Sequence, residues 1–277
     1  TLDYTDYTHR YAPYLSTDGK TWAALSADSL TLNERKTRAT LKLDLSKGEL
    51  WVAGQPLSPS RDNLDWTRRE LISKGFAEER YGASLKGKPL IGFVGGGGVD
   101  AIVVLTRQHP PETTGQEAYR GFLERLTDRK DDKANLFRAR HRIILAPMPN
   151  PDGVDEGHWR LSAGGIDLNR DWGTFSQPET KALSEWIKLQ AGNRRVVSMM
   201  DFHSTDKTVI YAPPLDSPSP TIGFLSALKQ AFDTALAAPP QWSYSHDANG
   251  GTSKGWALEQ LKAPGITVEL WDQIPPQ

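Results

Sequence analysis

One stretch of the chain constrains its fold more than any other: a strand that passes into a helix through a turn with two prolines. Residues 99–105 are mostly apolar and β-branched, which predicts a buried strand. Residues 114–126 place apolar side chains at helical spacing, which predicts a helix. The prolines disfavour αR backbone, so we expect His109 and Glu112 in a stiff loop at the strand's C-terminal end. This pair suits two adjacent corners of a zinc tetrahedron, although such side chains on a loop are more often simply solvated.

Length, charge and composition exclude several classes of protein. The 277 residues are enough for one large domain, or for one domain and a small module. The net charge is −1 and charges of both signs are interspersed, so we expect no nucleic-acid partner and no membrane partner. The chain has no cysteine, which excludes disulfides and thiolate metal sites but leaves the compartment open.

The first 57 residues have the pattern of a small β module. Alternating leucines predict a strand over residues 40–45, and residues 50–53 are expected to return beside it after a turn. A second hairpin is predicted from residues 11–14 and 21–25 around an Asp-Gly turn. A boundary rich in turn residues follows, so the sequence predicts an N-terminal module over 1–57 and a larger domain over 58–277.

Beyond that boundary helical and strand patterns alternate, which predicts an α/β domain with a mixed central sheet flanked by helices. Residues 149–180 contain too much Gly, Pro, Asn and Asp for regular structure, and so long a loop is uncommon unless it is functional. An apolar strand is predicted at 196–202, and His203 follows it, a second histidine at the edge where open α/β sheets bind ligands. The last predicted strand, 266–270, turns Glu269 to the face opposite its aliphatic side chains.

His109, Glu112 and His203 together form a set of two histidines and one glutamate. Three protein ligands with one open corner are the arrangement of catalytic zinc, whereas structural zinc sites have four ligands. Either histidine could instead be a hydrogen-bonded core residue, but the equivalent positions of the two after core strands favour a metal. The sequence therefore predicts one Zn²⁺ per chain.

Four motifs occur in an order that resembles a known enzyme family. HPPE (109–112) resembles the His-x-x-Glu motif of zinc metallocarboxypeptidases of the carboxypeptidase A superfamily, and DFHS (201–204) resembles the motif of their third ligand. NPDG followed by an arginine and DLNRDW (167–172) resembles their substrate-binding stretch, and VEL (268–270) resembles the strand with the catalytic glutamate.

Within the superfamily the chain most resembles the cytosolic carboxypeptidase subfamily, including its bacterial members. RQHPPET carries Pro111 where that group has glycine, and WRLSAGGIDLNRDW follows its Arg-x-Ser-x-x-Gly-x-Asp-Leu-Asn-Arg-x-Trp pattern. That group also has a β-sandwich module ahead of the catalytic domain, and residues 1–57 resemble the end of such a module.

The resemblance implies a carboxypeptidase-like fold and hydrolysis of the C-terminal peptide bond of a peptide or protein. It implies that Glu269 is the general base and that Arg160 stabilises the tetrahedral oxyanion. Asn169 and Arg170 would hold the terminal carboxylate of the substrate, and Asp167 would hold the first histidine ligand. Simpler roles are the alternative: Arg160 could be a surface arginine and Asp167 could cap a turn. Asn169 and Arg170 could brace the loop.

Two further residues are candidates for substrate selection. Residues 251–254 resemble the subfamily's Gly-Thr-(Gly or Ala)-Arg stretch, whose basic residue faces the departing C-terminal side chain. The basic residue here is Lys254, so the resemblance implies a preference for C-terminal Glu or Asp. A surface lysine is the alternative. Pancreatic-type enzymes have a mobile tyrosine where His246 falls in this chain, with Tyr244 two residues away, and we expect one of these two to contact substrate.

Other functions remain open at this point. An enzyme of the same fold that acts on cell-wall muropeptides, as a carboxypeptidase or an amidase, would share the metal and catalytic residues. A non-catalytic peptide-binding relative is a further alternative. The expected location is cytoplasmic, with an exported form left open, and the sequence assigns neither the natural substrate nor the oligomeric state.

Overall fold

The structure, a computed structural model, describes residues 1–5, 8–46, 48–236, 238–245 and 250–272. The chain divides into two compact units, Thr1–Ser58 and Pro59–Gln277. The predicted boundary after residue 57 lies one residue before this division. The assignment of a catalytic domain to the second unit and of an N-terminal module to the first stays a prediction.

The first unit contains two three-stranded antiparallel sheets, with strand orders β1-β5-β4 and β3-β2-β6. Its strands are β1 (Leu2–Asp3), β2 (Tyr14–Ser16), β3 (Ala23–Ala24), β4 (Leu30–Leu32), β5 (Arg38–Leu41) and β6 (Trp51–Ala53). A single 3₁₀ turn, Ala27–Ser29, is described between β3 and β4. β2 and β3 form the predicted hairpin, with Tyr14 opposite Ala24.

The other predicted hairpin of this unit is wrong. β5 ends at Leu41 and pairs with β1 and β4 on its two edges, whereas β6 pairs with β2 in the other sheet. Leu43 and Leu45, which predicted a longer strand, are 37% and 65% exposed. Alternating side chains predict extended backbone with one apolar face, but they do not identify the partner strand.

An eight-stranded mixed sheet runs through the second unit, which confirms the predicted architecture. Its spatial order is β13-β12-β14-β11-β9-β10-β8-β7. The strands are β7 (Ala77–Ala83), β8 (Pro89–Gly95), β9 (Asp100–Thr106), β10 (His141–Ala146), β11 (Arg195–Thr205), β12 (Val209–Ala212), β13 (Gln241–Tyr244) and β14 (Gly265–Trp271). The four central strands β14, β11, β9 and β10 are mutually parallel, so their C-terminal ends meet at one edge of the sheet.

Helices cover both faces of this sheet. They are α1 (Ser60–Ile72), α2 (Thr113–Thr127), α3 (Asp132–Arg140), α4 (Pro151–Asp155), α5 (Pro178–Ala191), α6 (Gly223–Ala235) and α7 (Ser253–Gln260). Side chains of β9 alternate between two buried clusters: Ile102 and Val104 pack with α1, α2 and α6, whereas Val103 and Leu105 pack with α5 and α7. No helix in the described part of the chain has both the length and the apolar composition to cross a membrane.

Candidate metal centre and active site

The two histidines and the glutamate predicted as metal ligands come together at the C-terminal edge of the parallel strands. His109 lies three residues beyond the end of β9, and Glu112 directly precedes α2. His203 lies on β11, two residues before the end of that strand. Nδ1 of His109 lies 2.8 Å from Oε1 of Glu112, and Nδ1 of His203 lies 2.7 Å from Oε2 of the same carboxylate. The two Nδ1 atoms are 3.1 Å apart.

This donor set fits a zinc ion. Two imidazole nitrogens and one carboxylate oxygen, all within 4.8 Å of one another, converge on a single point, and both histidines are at least 97% buried. Nitrogen and oxygen donors of these types, three in number, are the protein ligands of catalytic zinc. His109, Glu112 and His203 would hold the ion, and a fourth position would stay available to water or substrate.

The electrostatics of the three groups also favour a cation. Burial alone raises the pKa of the Glu112 carboxyl, but the facing histidines outweigh burial and hold that pKa well below its usual range. Burial lowers the pKa of each imidazole, yet neighbouring carboxylates outweigh it: Glu112 and Asp167 raise the pKa of His109, and Asp201 and Glu112 raise that of His203. The surroundings therefore stabilise positive charge at this point.

The loop that carries the first two ligands is held from behind by a buried arginine. Arg107 has a left-handed φ of 63° and is 2% exposed. Its Nη2 donates to the carbonyl of Pro110 at 2.8 Å, and its Nη1 donates to the Gln116 side chain in the first turn of α2. These bonds fix the turn between His109 and Glu112 against the helix that follows.

Asp167 joins His109 to Arg160. Its Oδ1 lies 2.9 Å from Nε2 of His109, and its Oδ2 accepts a hydrogen bond of 2.7 Å from Nε of Arg160. Burial raises the pKa of Asp167, but the imidazole and the guanidinium outweigh burial and hold that pKa well below its usual range. Because Nε2 of His109 faces this carboxylate, Nδ1 is left for the metal position.

Asp201 is a site residue that the sequence analysis missed. Its Oδ2 lies 2.9 Å from Nε2 of His203, so each histidine ligand has its own carboxylate on the ring nitrogen away from the metal position. The sequence contains one weak signal for this role: residues two apart on a strand share a face, and Asp201 precedes His203 by two. Nothing in the motif by itself separates this position from an ordinary polar residue at the end of a strand.

Glu269 lies on β14 directly beside His203 in the register of the parallel pair β11–β14. Its side chain is on the face away from Ile266 and Val268, which belong to the core, as the alternation predicted. Burial raises the pKa of Glu269 to about 7, and Glu112 adds to this effect while His203 opposes it. Among the described residues its Oε2 has no hydrogen-bond partner, so one carboxylate oxygen next to the metal position is available.

The predicted carboxylate-binding pair occupies a 3₁₀ turn, Leu168–Arg170. Asn169 is 6% exposed, and its Oδ1 accepts a hydrogen bond of 2.8 Å from the backbone N–H of Ser253. Arg170 is exposed, and its Nη1 donates to the carbonyl of Asn169 at 2.7 Å. Arg170 also lines a cavity of about 530 Å³ together with Trp172 and Trp256.

The two candidates for substrate selection differ in what the structure describes. Lys254, the second residue of α7, is 7% exposed rather than on the surface. Its Nζ donates to the carbonyl of Ser245 at 2.8 Å and to the hydroxyl of Ser245 at 2.9 Å. His246 lies outside the described residues, and Tyr244 is exposed at the end of β13.

Comparison with solved structures identifies the same fold. A metallo-carboxypeptidase from Burkholderia cenocepacia superposes with a TM-score of 0.79 at 18% identity, over 96% of this chain and 74% of that one. A metallo-carboxypeptidase from Pseudomonas aeruginosa, in complex with (2-guanidinoethylmercapto)succinic acid, gives a TM-score of 0.74 at 21% identity, over 97% of this chain and 74% of that one.

Sequence comparison finds relatives over part of the chain. Cytosolic carboxypeptidase 2 of Danio rerio is 38% identical over 106 residues, which are 37% of this chain and 15% of that protein. An uncharacterized protein of Zymomonas mobilis is 39% identical over 117 residues, which are 42% of this chain and 30% of that protein. The matches thus span less than a third of these relatives. The zinc carboxypeptidase family model matches residues 78–277, which include all three donors and Glu269, and the chain therefore belongs to the zinc carboxypeptidase family.

Proposed function

We propose that the chain is a zinc-dependent carboxypeptidase that hydrolyses the last peptide bond of a peptide or protein and prefers an acidic C-terminal residue. The observation that carries the proposal is the convergence of His109, Glu112 and His203 one strand away from Glu269, a half-buried glutamate with an available oxygen. A bound zinc ion supplies Lewis acidity at this point, which polarises a carbonyl oxygen and acidifies a neighbouring water.

Glu269 is proposed as the group that moves the proton. A general base works best when its pKa is near the working pH, and burial brings the pKa of Glu269 to about 7. Its available oxygen accepts a proton from the attacking water and then returns that proton to the amine that leaves. Both transfers use the same carboxylate, so no second acid is needed.

Arg160 is proposed to stabilise the negative charge that develops on the scissile carbonyl oxygen. Its side chain is 42% exposed and held at Nε by Asp167, which leaves its remaining N–H groups to turn toward a substrate. A donor aimed at such an oxyanion is typically worth about 3–4 kcal/mol. The bond to Asp167 restrains the guanidinium near the first histidine ligand and so limits the cost of orienting it.

Asn169 and Arg170 are proposed to bind the terminal carboxylate. A guanidinium and an amide match the planar, doubly accepting carboxylate better than a single ammonium does. The bond from Ser253 N–H to Asn169 Oδ1 fixes the amide with its NH₂ group turned away from α7. A site that requires a free carboxylate next to the scissile bond makes the enzyme an exopeptidase.

Lys254 is proposed to favour substrates that end in Glu or Asp. Its ammonium is buried and oriented by Ser245, and a charge-assisted contact with a substrate carboxylate contributes about 1.5–3 kcal/mol. The names of the relatives support the reaction class, and residues 251–254 resemble the subfamily's Gly-Thr-(Gly or Ala)-Arg stretch, in which the basic residue stands where this chain has Lys254. Lysine is a point charge without the fork of arginine, so its discrimination between Asp and Glu is expected to be weak. His246 is proposed as a further substrate contact on sequence grounds alone.

The test is a panel of peptides that differ only in the last residue, treated with the zinc-loaded protein. We expect release of single C-terminal residues, fastest for Glu and Asp, and much slower release from the same peptides with an amidated C-terminus. The double variant His109→Ala, His203→Ala should lose both zinc and release. A preference for aromatic or basic ends would refute the role of Lys254 alone, whereas internal cleavage of the amidated peptides would refute the exopeptidase.

A further inference from the structure

Asp201 is the centre of a buried polar network that reaches well beyond His203. In addition to its 2.9 Å contact with the imidazole, Oδ2 of Asp201 accepts a hydrogen bond of 2.7 Å from Oγ of Ser253 and another from Nε2 of Gln108. All four residues are at most 1% exposed. Groups buried this completely keep one geometry, because losing a partner leaves an unsatisfied polar atom in the interior.

Ser253 carries the network to the segment proposed to bind the substrate carboxylate. It is the first residue of α7, and its backbone N–H donates to Oδ1 of Asn169 while its hydroxyl donates to Asp201. One residue therefore touches both the amide that faces the terminal carboxylate and the carboxylate that orients a histidine ligand. The subfamily stretch that residues 251–254 resemble has glycine or alanine at this position, whereas this chain has a serine with its hydroxyl.

Gln108 provides a second connection to the same segment. Its Oε1 accepts a hydrogen bond of 2.9 Å from Nε1 of Trp172, two residues after Arg170. Its own carbonyl accepts a bond of 2.9 Å from Nδ2 of Asn150, which fixes the residue before His109. The segment 169–172 is thus tied to Asp201 at both ends, through Ser253 at Asn169 and through Gln108 at Trp172.

We propose that Ser253 is a positioning residue that couples the carboxylate-binding segment to the metal ligand His203 through Asp201. It touches neither metal nor substrate, so its effect passes through the geometry of Asp201 and Asn169. This inference rests on the proposed zinc and carboxylate sites. It predicts that removal of one hydroxyl weakens zinc binding and the binding of free-acid peptides together.

The test compares Ser253→Ala with Ser198→Ala. Ser198 is a matched control, since it is a buried serine on β11 whose hydroxyl donates, among the described residues, to the carbonyl of Pro264 and not to the site. Removing a direct partner of a metal ligand typically costs 10–100-fold in metal affinity. For Ser253→Ala, one step further out, we expect a loss of about 3–10-fold in zinc affinity, measured by competition with a chelating dye. Ser198→Ala should stay within about twofold of wild type.

Three further measurements separate positioning from a general loss of stability. The visible spectrum of the cobalt-substituted protein should change in Ser253→Ala and not in Ser198→Ala, because the spectrum reports ligand geometry. Ser253→Thr retains the hydroxyl and should restore the zinc affinity, and Asp201→Asn should lose more affinity than Ser253→Ala. At saturating zinc, KM for a free-acid peptide should rise in Ser253→Ala but not in Ser198→Ala.

The outcomes distinguish this inference from the proposed function. If wild type binds one zinc, loses it in the double histidine variant, and Ser253→Ala matches Ser198→Ala in zinc affinity and cobalt spectrum, the coupling is wrong and the carboxypeptidase stands. A zinc effect without any change of KM would likewise remove the link to the carboxylate segment. If wild type binds no zinc at the histidines, the proposed function itself fails.

Discussion

Gly115, in the first turn of α2, lies directly against the backbone of His203. A Cβ placed on Gly115 would come within 2.5 Å of the His203 carbonyl oxygen and 2.7 Å of its carbonyl carbon. The backbone N–H of Gly115 also donates to the Ser204 hydroxyl at 2.8 Å. The helix that follows two metal ligands therefore packs on the strand that carries the third, at a distance that only glycine allows.

Gly115→Ala is expected to destabilise the protein and weaken zinc binding, because the helix must move away from β11. Overpacking of a rigid interior typically costs about 1–3 kcal/mol. The matched control is Gly121→Ala in the same helix, where a Cβ would meet nothing within 4 Å. That change should raise the free energy of unfolding by about 0.5–1 kcal/mol, since alanine is the better helix former. Urea unfolding and zinc titration of both variants check this expectation. Equal free energies of unfolding and equal zinc affinities in the two variants would contradict the packing argument.

Glu269→Gln is expected to keep zinc and free-acid peptide binding while losing turnover by about 10²–10⁴-fold, because an amide cannot accept the proton of water. The amide has nearly the shape of the carboxylate, so the register with His203 should not change. Elemental analysis and peptide binding check that the site is intact, and single-turnover kinetics measure the loss. Turnover close to wild type in a zinc-loaded variant would remove Glu269 from the mechanism.

Several parts of this site could be predicted from the sequence because strand periodicity fixes them. His109 follows β9 and His203 lies two residues before the end of β11, and parallel strands bring such positions to one edge. Alternation alone predicts the correct face of β14 for Glu269. In each case the information is local to a few residues around the strand end.

Other parts depend on distant partners and could not be predicted. Asp201 and its direct partners come from three separate segments, and no periodicity marks a buried serine at the start of a helix as its partner. Ser60, the first residue of α1, donates its hydroxyl to Asp155 at 2.6 Å, a partner 95 residues away that no local pattern indicates. The predicted pairing of β5 with β6 is wrong for the same reason, because the alternating pattern of a strand does not identify its partner strand.

Arg170→Ala is expected to reduce kcat/KM for free-acid peptides by about 10–100-fold, the equivalent of one charge-assisted contact, with little effect on amidated ones. The reason is that only the free acids offer a carboxylate. Arg195→Ala is the matched control, because Arg195 is an exposed arginine at the opposite end of β11, paired with Asp100. Equal losses on free-acid and amidated peptides would place Arg170 outside the binding site.

Asp171 holds the start of α5 through a buried carboxylate. It accepts hydrogen bonds from the backbone N–H groups of Ser176 and Gln177, at 2.9 and 3.0 Å, from the Ser176 hydroxyl at 2.7 Å and from the Thr180 hydroxyl. Burial raises the pKa of Asp171, but these bonds outweigh burial and hold that pKa below its ordinary value of 3.8.

Asp171→Asn is therefore expected to lower the free energy of unfolding in a pH-dependent way. A carboxyl whose pKa is depressed in the folded state contributes stability that is fully present above its unfolded pKa and is lost as the pH falls through the folded pKa. Bonds to a charged acceptor are worth about 1.5–3 kcal/mol, which is the loss we expect at pH 7. Wild type should lose this advantage below about pH 4, where its carboxylate takes up a proton and the amide of the variant does not. Urea unfolding of both zinc-free proteins between pH 7 and pH 3 measures the difference in the free energy of unfolding between wild type and Asp171→Asn. A difference that stays constant across that range would show that Asp171 acts through its shape and not through its charge.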